Sequence, residues 1–278
     1  MKKIIASAVL ALLPLVTYAG GGWPQPKGKG FFKLGQNAIR SPAFFNPAGD
    51  VIDITTTSLY TTSLYGEYGL TGRLTGLFYF PFFVRGTLNE IRYRQSGNVE
   101  PGDAVNAIGD TDVGFKYTFL AGKPFYASFT VLLGLPLGNS GGGRSGILQT
   151  GDGEFNQLVR FDVSGSLTDK VFASAHVGFN NRTRGFSDEF RYGAEIGVTL
   201  KKFTPILKIN GVESFFNGDA EAVQNGIFSN NTEYFSPTAE VNYQWTGHLG
   251  LSLSGGFALS GRNILAAPNW SAGVYWKL

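Results

Sequence analysis

Ser174 and His176 stand two residues apart in the stretch VFASAHVGFN. A serine beside a histidine is half of a nucleophile–base pair. Nearby stretches carry Arg160 with Asp162, Arg191 with Glu195, and Glu240 with Asn242, all at even spacing. On an extended chain, even spacing puts side chains on one face. The segments "IGDTD" (108–112), "TGDGE" (150–154) and "NGDAE" (217–221) add Asp110, Asp112, Asp152, Glu154 and Asp219 as oxygen donors of the kind calcium takes. Hydrolysis, cation binding and a charged passage are the three chemistries these residues offer.

The first two find little support. The chain holds 2 histidines, and His248 falls in a predicted tight turn. Carboxylate-based proteolysis would need a histidine beside acids in the long loops, and none is predicted there. No catalytic residue is assigned, and an enzyme is not expected. Asp-Gly pairs are ordinary turn formers, and no His/Cys cluster accompanies them. No metal is expected, with Asp110, Asp112, Asp152 and Asp219 kept as calcium candidates. The loop "GNSGGGRSG" (138–146) lacks the Lys-Ser/Thr end of a phosphate loop. No cofactor is expected.

The elements that must position the charges are strands. In "LGLSLSGGFALSG" (249–261) the leucines alternate with serine and glycine, giving one apolar and one small polar face. Similar runs lie at 28–36, 53–64, 71–83, 112–120, 125–135, 155–167, 170–180, 190–201, 203–215, 233–245, 249–260 and 269–278. Twelve is an even number, as in bacterial single-chain barrels. The connections alternate in length. Short ones lie at 66–70, 121–124, 168–169, 202–203 and 246–248, and long ones at 37–52, 84–111, 136–154, 181–189, 216–232 and 261–268. Short periplasmic turns and long extracellular loops are the habit of outer-membrane barrels. The expected fold is all-β: a transmembrane antiparallel up-and-down barrel over 20–278.

Composition agrees. With 39 glycines, 24 phenylalanines and 12 tyrosines but only 15% charged residues, the chain is poor in charge for an exported soluble domain. It has 0 cysteines, so neither disulfides nor thiol chemistry are available. Residues 1–19 read as a secretory signal peptide: Lys2 and Lys3, an apolar run from Ile4 to Val16, then small residues. Without Lys2 and Lys3, 21 basic residues face 20 acidic ones, so nothing suggests nucleic acid. The expected location is the cell outer membrane. The expected partners are its lipid and lipopolysaccharide, the barrel assembly machinery and a small solute.

Alternation places the leucines toward lipid and the charges inside. The expected lumen holds Arg73, Lys116, Arg160, Arg191, Lys201, Lys208 and Lys277, with His176, against Asp162, Glu195 and Glu240. The excess is basic and favours anionic or polar-aromatic solutes. Pairing of these charges across a narrow lumen is the competing reading. The amino-terminal "GGGWPQPKGKG" is expected to be a free tail rather than a plug. Tyr79, Phe80, Phe82, Phe83, Trp245, Trp270 and Trp276 read as interfacial girdles.

In the last strand Trp270, Ala272, Val274, Trp276 and Leu278 alternate to the final residue. This series resembles the carboxy-terminal assembly signal of outer-membrane barrels, with Leu278 where phenylalanine is usual.

Two stretches resemble the bacterial family named the putative MetA-pathway of phenol degradation. "IGDTDVGFKYTFL" (108–120) is similar to its strand entry, and "LPLGN…LQTGDGEFNQLVRFDVSGSL" (135–167) to the hairpin that follows, in the same order and separation. The resemblance implies an outer-membrane barrel that moves small, often aromatic or hydrophobic molecules, and no enzymatic step. The expected function is a passive channel for small solutes. The alternative is a structural or surface-interaction barrel with a plugged lumen and functional extracellular loops.

Overall fold

The computed structural model describes residues 21–122, 124–219 and 226–278. The predicted leader, 1–19, lies outside the described residues.

Twelve long strands follow one another round a closed sheet. They are β1 (Gly30–Phe45), β2 (Val51–Gly69), β3 (Leu74–Leu88), β4 (Thr111–Gly122), β5 (Phe125–Leu135) and β6 (Asn156–Ser166). Then come β7 (Val171–Arg182), β8 (Glu189–Val198), β9 (Phe203–Ser214), β10 (Glu233–Gln244), β11 (Leu249–Gly256) and β12 (Asn269–Lys277). Each pairs antiparallel with its sequence neighbours, and β12 closes on β1 from Phe31↔Lys277 to Ile39↔Asn269. Closure leaves no edge to offer unpaired backbone groups to lipid.

The outer wall is apolar. Phe115, Tyr117, Phe129, Val159, Val177, Leu207, Leu251, Leu253 and Trp270 are exposed on it. The alternate positions Thr75, Lys116, Thr118, Ser128, Thr130, Asp162 and Ser164 are buried. This is inside-out relative to a soluble sandwich. A closed barrel with that polarity is an outer-membrane β-barrel, its apolar belt in the bilayer.

The short turns 70–73, 167–170, 199–202 and 245–248 lie at one end with the start of β1, the end that outer-membrane barrels turn to the periplasm. Two predicted long loops shrink. The expected 37–52 loop is a five-residue turn, 46–50, because β1 continues through Pro42 to Phe45. Pro42 falls in a bulge between Ser41 and Ala43, where a missing N–H costs no ladder bond. Likewise β3 runs to Leu88, and Asp103–Ala107 returns along it within the expected 84–111 loop.

Candidate functional site

The lumen has two unlike halves. On the β4–β7 side a row of short inward residues, Thr118, Ser128, Thr130, Ser164 and Ser174, runs beside the longer Lys116, Arg160, Asp162 and His176. Short side chains leave room for a backbone, and the amino-terminal segment takes it. The expectation of a free tail is therefore overturned. Ser164 Oγ accepts the Gly22 N–H at 2.6 Å. The Gly22 carbonyl accepts from the hydroxyls of Ser128 and, at 3.4 Å, Thr118. Trp23 is buried, its ring edge-on to Phe172 (5.9 Å) and tilted to Tyr126 (6.4 Å). A Cβ on Gly22 would stand 3.1 Å from the Asp162 carbonyl and 3.2 Å from that of Tyr126, so this approach suits glycine. The segment then crosses to β2 and β3. Gln25 N–H donates to Thr75 Oγ1 (3.0 Å), and its amide donates to Glu67 (3.1 Å).

Lys116 fastens this plug. Its Nζ donates to the Gly21 carbonyl (3.0 Å) and pairs with Glu67 (3.2 Å). Both side chains are about 2% exposed or less. The Tyr65 hydroxyl donates to the second Glu67 oxygen. A buried pair survives only when its remaining hydrogen-bonding capacity is met; here tyrosine, glutamine and a backbone carbonyl meet it.

The other half keeps an opening. A cavity of 460 Å³ lies against β1–β3, β8–β10 and β12. Its aromatic wall is Phe31, Tyr65, Tyr79 and Tyr275, and its ionic wall is Lys33, Lys208, Lys277, Glu195 and Glu240. Lys208 bridges Glu240 (3.0 Å) and Glu195 (3.5 Å). Lys277 donates instead to the neutral Gln244 amide oxygen at 2.8 Å. Among the described residues neither Lys33 nor Lys277 forms an ion pair.

Toward the extracellular end Arg182 is pinned by Asp152, Glu154 and Glu189, each at 2.8 Å, with its guanidinium 4.5 Å from the Phe186 ring centre. It ties loop 136–155 to the rim of β7 and β8. Gln149, buried in that loop, accepts from the Phe228 N–H at 2.9 Å and so reaches loop 215–232. Asp110 accepts the N–H groups of Gly138 (2.8 Å) and Asp152 (2.7 Å). The two stretches of the family resemblance therefore meet here. A Cβ on Gly151 would stand 2.3 Å from the Asp110 carboxylate, so the "GDG" turn suits glycine. Burial pushes the Asp110 carboxyl up to about 6, with nearby Asp152 adding to the rise against two amide N–H bonds.

Most of the expected interior charges point inward. Lys116, Arg160, Asp162, His176, Arg191, Glu195, Lys208 and Glu240 do so, but nearly all as partners. Arg160 pairs with Asp162 (2.8 Å), and Arg191 with Glu189 (2.6 Å). His176 lies opposite Asp162 on β6 and Gly193 on β8. Two expectations fail. Arg73 and Lys201 are exposed in the periplasmic turns, because β3 begins at Leu74 and β8 ends at Val198. Tyr79 faces the cavity instead of joining a girdle.

Lys33, Glu67, Arg182 and Glu189 were missed. Lys33 and Glu67 alternate with apolar neighbours, and the same inward parity would have found them. Of the calcium candidates, Asp152, with Glu154, serves Arg182 and Asp110 accepts backbone N–H groups. Asp112 is the second residue of β4, and Asp219 donates its N–H to the Gly185 carbonyl. Among the described residues no group of three or more His, Cys, Asp or Glu is placed to hold a metal.

No family model and no curated protein matches the chain. Solved structures do match. A crystal structure titled as an outer membrane channel from Pseudomonas putida F1 superposes with a TM-score of 0.60 at 14% identity, covering 93% of this chain and 98% of that one. The NanC porin superposes at 0.51 with 11% identity, covering 89% of this chain and 100% of its own. At such identities the likeness is one of fold, that of outer-membrane barrels.

Proposed function

We propose that the chain is a passive outer-membrane channel for small solutes, leaning toward anions, whose lumen is narrowed by its own amino-terminal segment. The observation that carries this is the cavity beside the plug. It has an aromatic wall and an ionic wall, and presents two lysines that form no ion pair. The cavity's three lysines outnumber its two glutamates, and since Lys208 is held between both acids, Lys33 and Lys277 set the local potential. The family resemblance of 108–120 and 135–167 supports the same reading, and membership in that family is part of the proposal. So is an assembly role for Trp270, Val274, Trp276 and Leu278, whose alternation gives the last strand an outward apolar row.

The plug itself favours a second reading, a closed barrel acting through its extracellular loops. Single-channel recording in a planar bilayer separates the two. Discrete steps with an anion-leaning reversal potential are expected. Protein folded by heat-shift electrophoresis yet silent, even after Trp23→Ala, would leave the closed barrel.

A further inference from the structure

The periplasmic turns repeat one figure that the solute path does not use. Leu70-Thr-Gly-Arg73, Leu167-Thr-Asp-Lys170 and Trp245-Thr-Gly-His248 each open with an apolar residue and close with a base. Their backbones repeat as well. The first two N–H groups donate to the carbonyl after the turn (Leu74, Val171 or Leu249) at 2.8–3.1 Å. The threonine hydroxyl accepts the N–H of the fourth residue and of the next: 3.2 and 2.9 Å, 3.2 and 3.0 Å, then 3.3 and 3.0 Å. The turn at 199–202 differs in backbone but sets Leu200 before Lys201 and Lys202.

The side chains divide by depth. Leu70, Leu167, Leu200 and Trp245 are exposed by 42, 56, 51 and 57%. They sit at the lower margin of the apolar belt, where such residues anchor a barrel in the bilayer edge. Arg73, Lys170, Lys201 and Lys202 follow within one to three residues, are exposed, and reach the next layer out, that of headgroup phosphates. Lys27 and Lys29 are exposed at the same end. Asp169 is the one carboxylate side chain among the described residues of this rim. The other end has the opposite balance: acids outnumber bases nine to five among the described residues of the extracellular loops. The rim charge is therefore local to one end.

We propose that this ring binds the headgroups of anionic phospholipids in the periplasmic leaflet, each turn supplying an acyl-edge anchor and most of them a phosphate-binding cation. A lipid fits better than a protein partner because anchor and cation repeat around the wall at bilayer depth. A flat docking patch would gather on one side.

The test compares wild type with Arg73→Gln/Lys170→Gln/Lys201→Gln/Lys202→Gln. Both are purified from vesicles of phosphatidylcholine mixed with phosphatidylglycerol, and retained lipid is counted by native mass spectrometry. At about 1 kcal/mol per cation near a charged surface, the preference for phosphatidylglycerol should fall roughly fivefold for each cation removed. A companion variant, Arg73→Lys/Lys170→Arg/Lys201→Arg/Lys202→Arg, keeps the charge and should keep the preference, which controls for folding. Equal retention of both lipids by wild type would overturn the proposal. A preference surviving the four glutamines would do the same. Displacement of the lipid by inorganic phosphate would reassign the ring to the free ion.

Discussion

The two halves of the lumen share one wall and differ in the length of what points inward. Against the plug, β4–β7 present a row of threonine and serine beside a few longer side chains. Across from them, β1–β3, β8–β10 and β12 present lysine, glutamate and tyrosine. Short hydroxyls accept a backbone: they offer hydrogen bonds at the distance a peptide needs and leave volume for Trp23. Long ionic side chains hold a space open, because they stay partly solvated or pair laterally along the wall. Lys208, between Glu195 and Glu240, is the plainest case. A barrel's inward face therefore encodes more than polarity, since side-chain length decides which part is filled by chain and which by water or solute.

The largest expected effect comes from breaking the joint between the halves. Lys116→Met removes the cation from a pair with almost no solvent access and strands Glu67 with one tyrosine and one amide. Removing one partner of a buried pair costs roughly 3–5 kcal/mol. Urea unfolding in vesicles should show a loss of that order. Adding Glu67→Gln should recover much of it, since the stranded charge is gone. A double variant as unstable as the single one would mean that Lys116 acts through Gly21 alone.

Next comes the plug. Trp23→Ala empties a pocket between Tyr126 and Phe172. Large-to-small changes of this kind cost about 3–5 kcal/mol in a packed core. Charged to docking of one short segment, that should free the segment while the closed sheet persists. Mean conductance should rise, with heat-shift mobility unchanged. Unchanged conductance would mean that the solute path avoids the β4–β7 half altogether.

The sequence announced the strands well and the plug badly, and the reason is physical. Alternation is a local signal: Leu251, Leu253 and Val177 declare lipid by parity alone, and twelve strands with their order follow. Pro42 hid the end of β1 because proline's meaning depends on whether it meets a bulge, which is a property of the partner strand. The plug is non-local. Gly22 meets Ser164 across 142 residues, and nothing near Trp23 says that serines far along the chain leave it a slot. The basic excess was misjudged for a related reason. Arg182 and Glu189 were counted with the loops, and Arg73 and Lys201 with the wall, so partners were missed and two cations were misplaced.

On the open half the comparison sharpens into selectivity. Lys33→Gln/Lys277→Gln removes the two cavity cations without ionic partners and leaves Lys208 paired with two acids. The reversal potential under a salt gradient should move from anion-leaning to neutral or cation-leaning, with little change in stability. The control Lys208→Gln should move it toward cations as well, but at a stability cost, since Glu195 and Glu240 then lose the cation they share. If only the control moves the potential, the ion path runs along the acidic pair.

The smallest effect tests how firmly the extracellular mouth is closed. The Asp110 carboxyl binds its proton more tightly in the folded loop, at about 6, than at the ordinary value of 3.8. The folded loop therefore gains on the open one as pH falls from above 6 toward 3.8. Its closure weakens as pH rises through the same window and then levels off. Asp152 and Glu154 lie in the loop being held, and burial raises Glu154 too, which acts in the same direction. Proteolytic nicking of 136–155 should be slower near pH 5 than near pH 8, measured with a protease whose own rate is corrected on a peptide standard. Asp110→Asn keeps an acceptor for the Gly138 N–H but has no proton to gain, so the pH dependence should shrink. If it is unchanged, Glu154 on Arg182 is the titrating clasp, and the mouth is held from the β7–β8 rim instead of from the entry to β4.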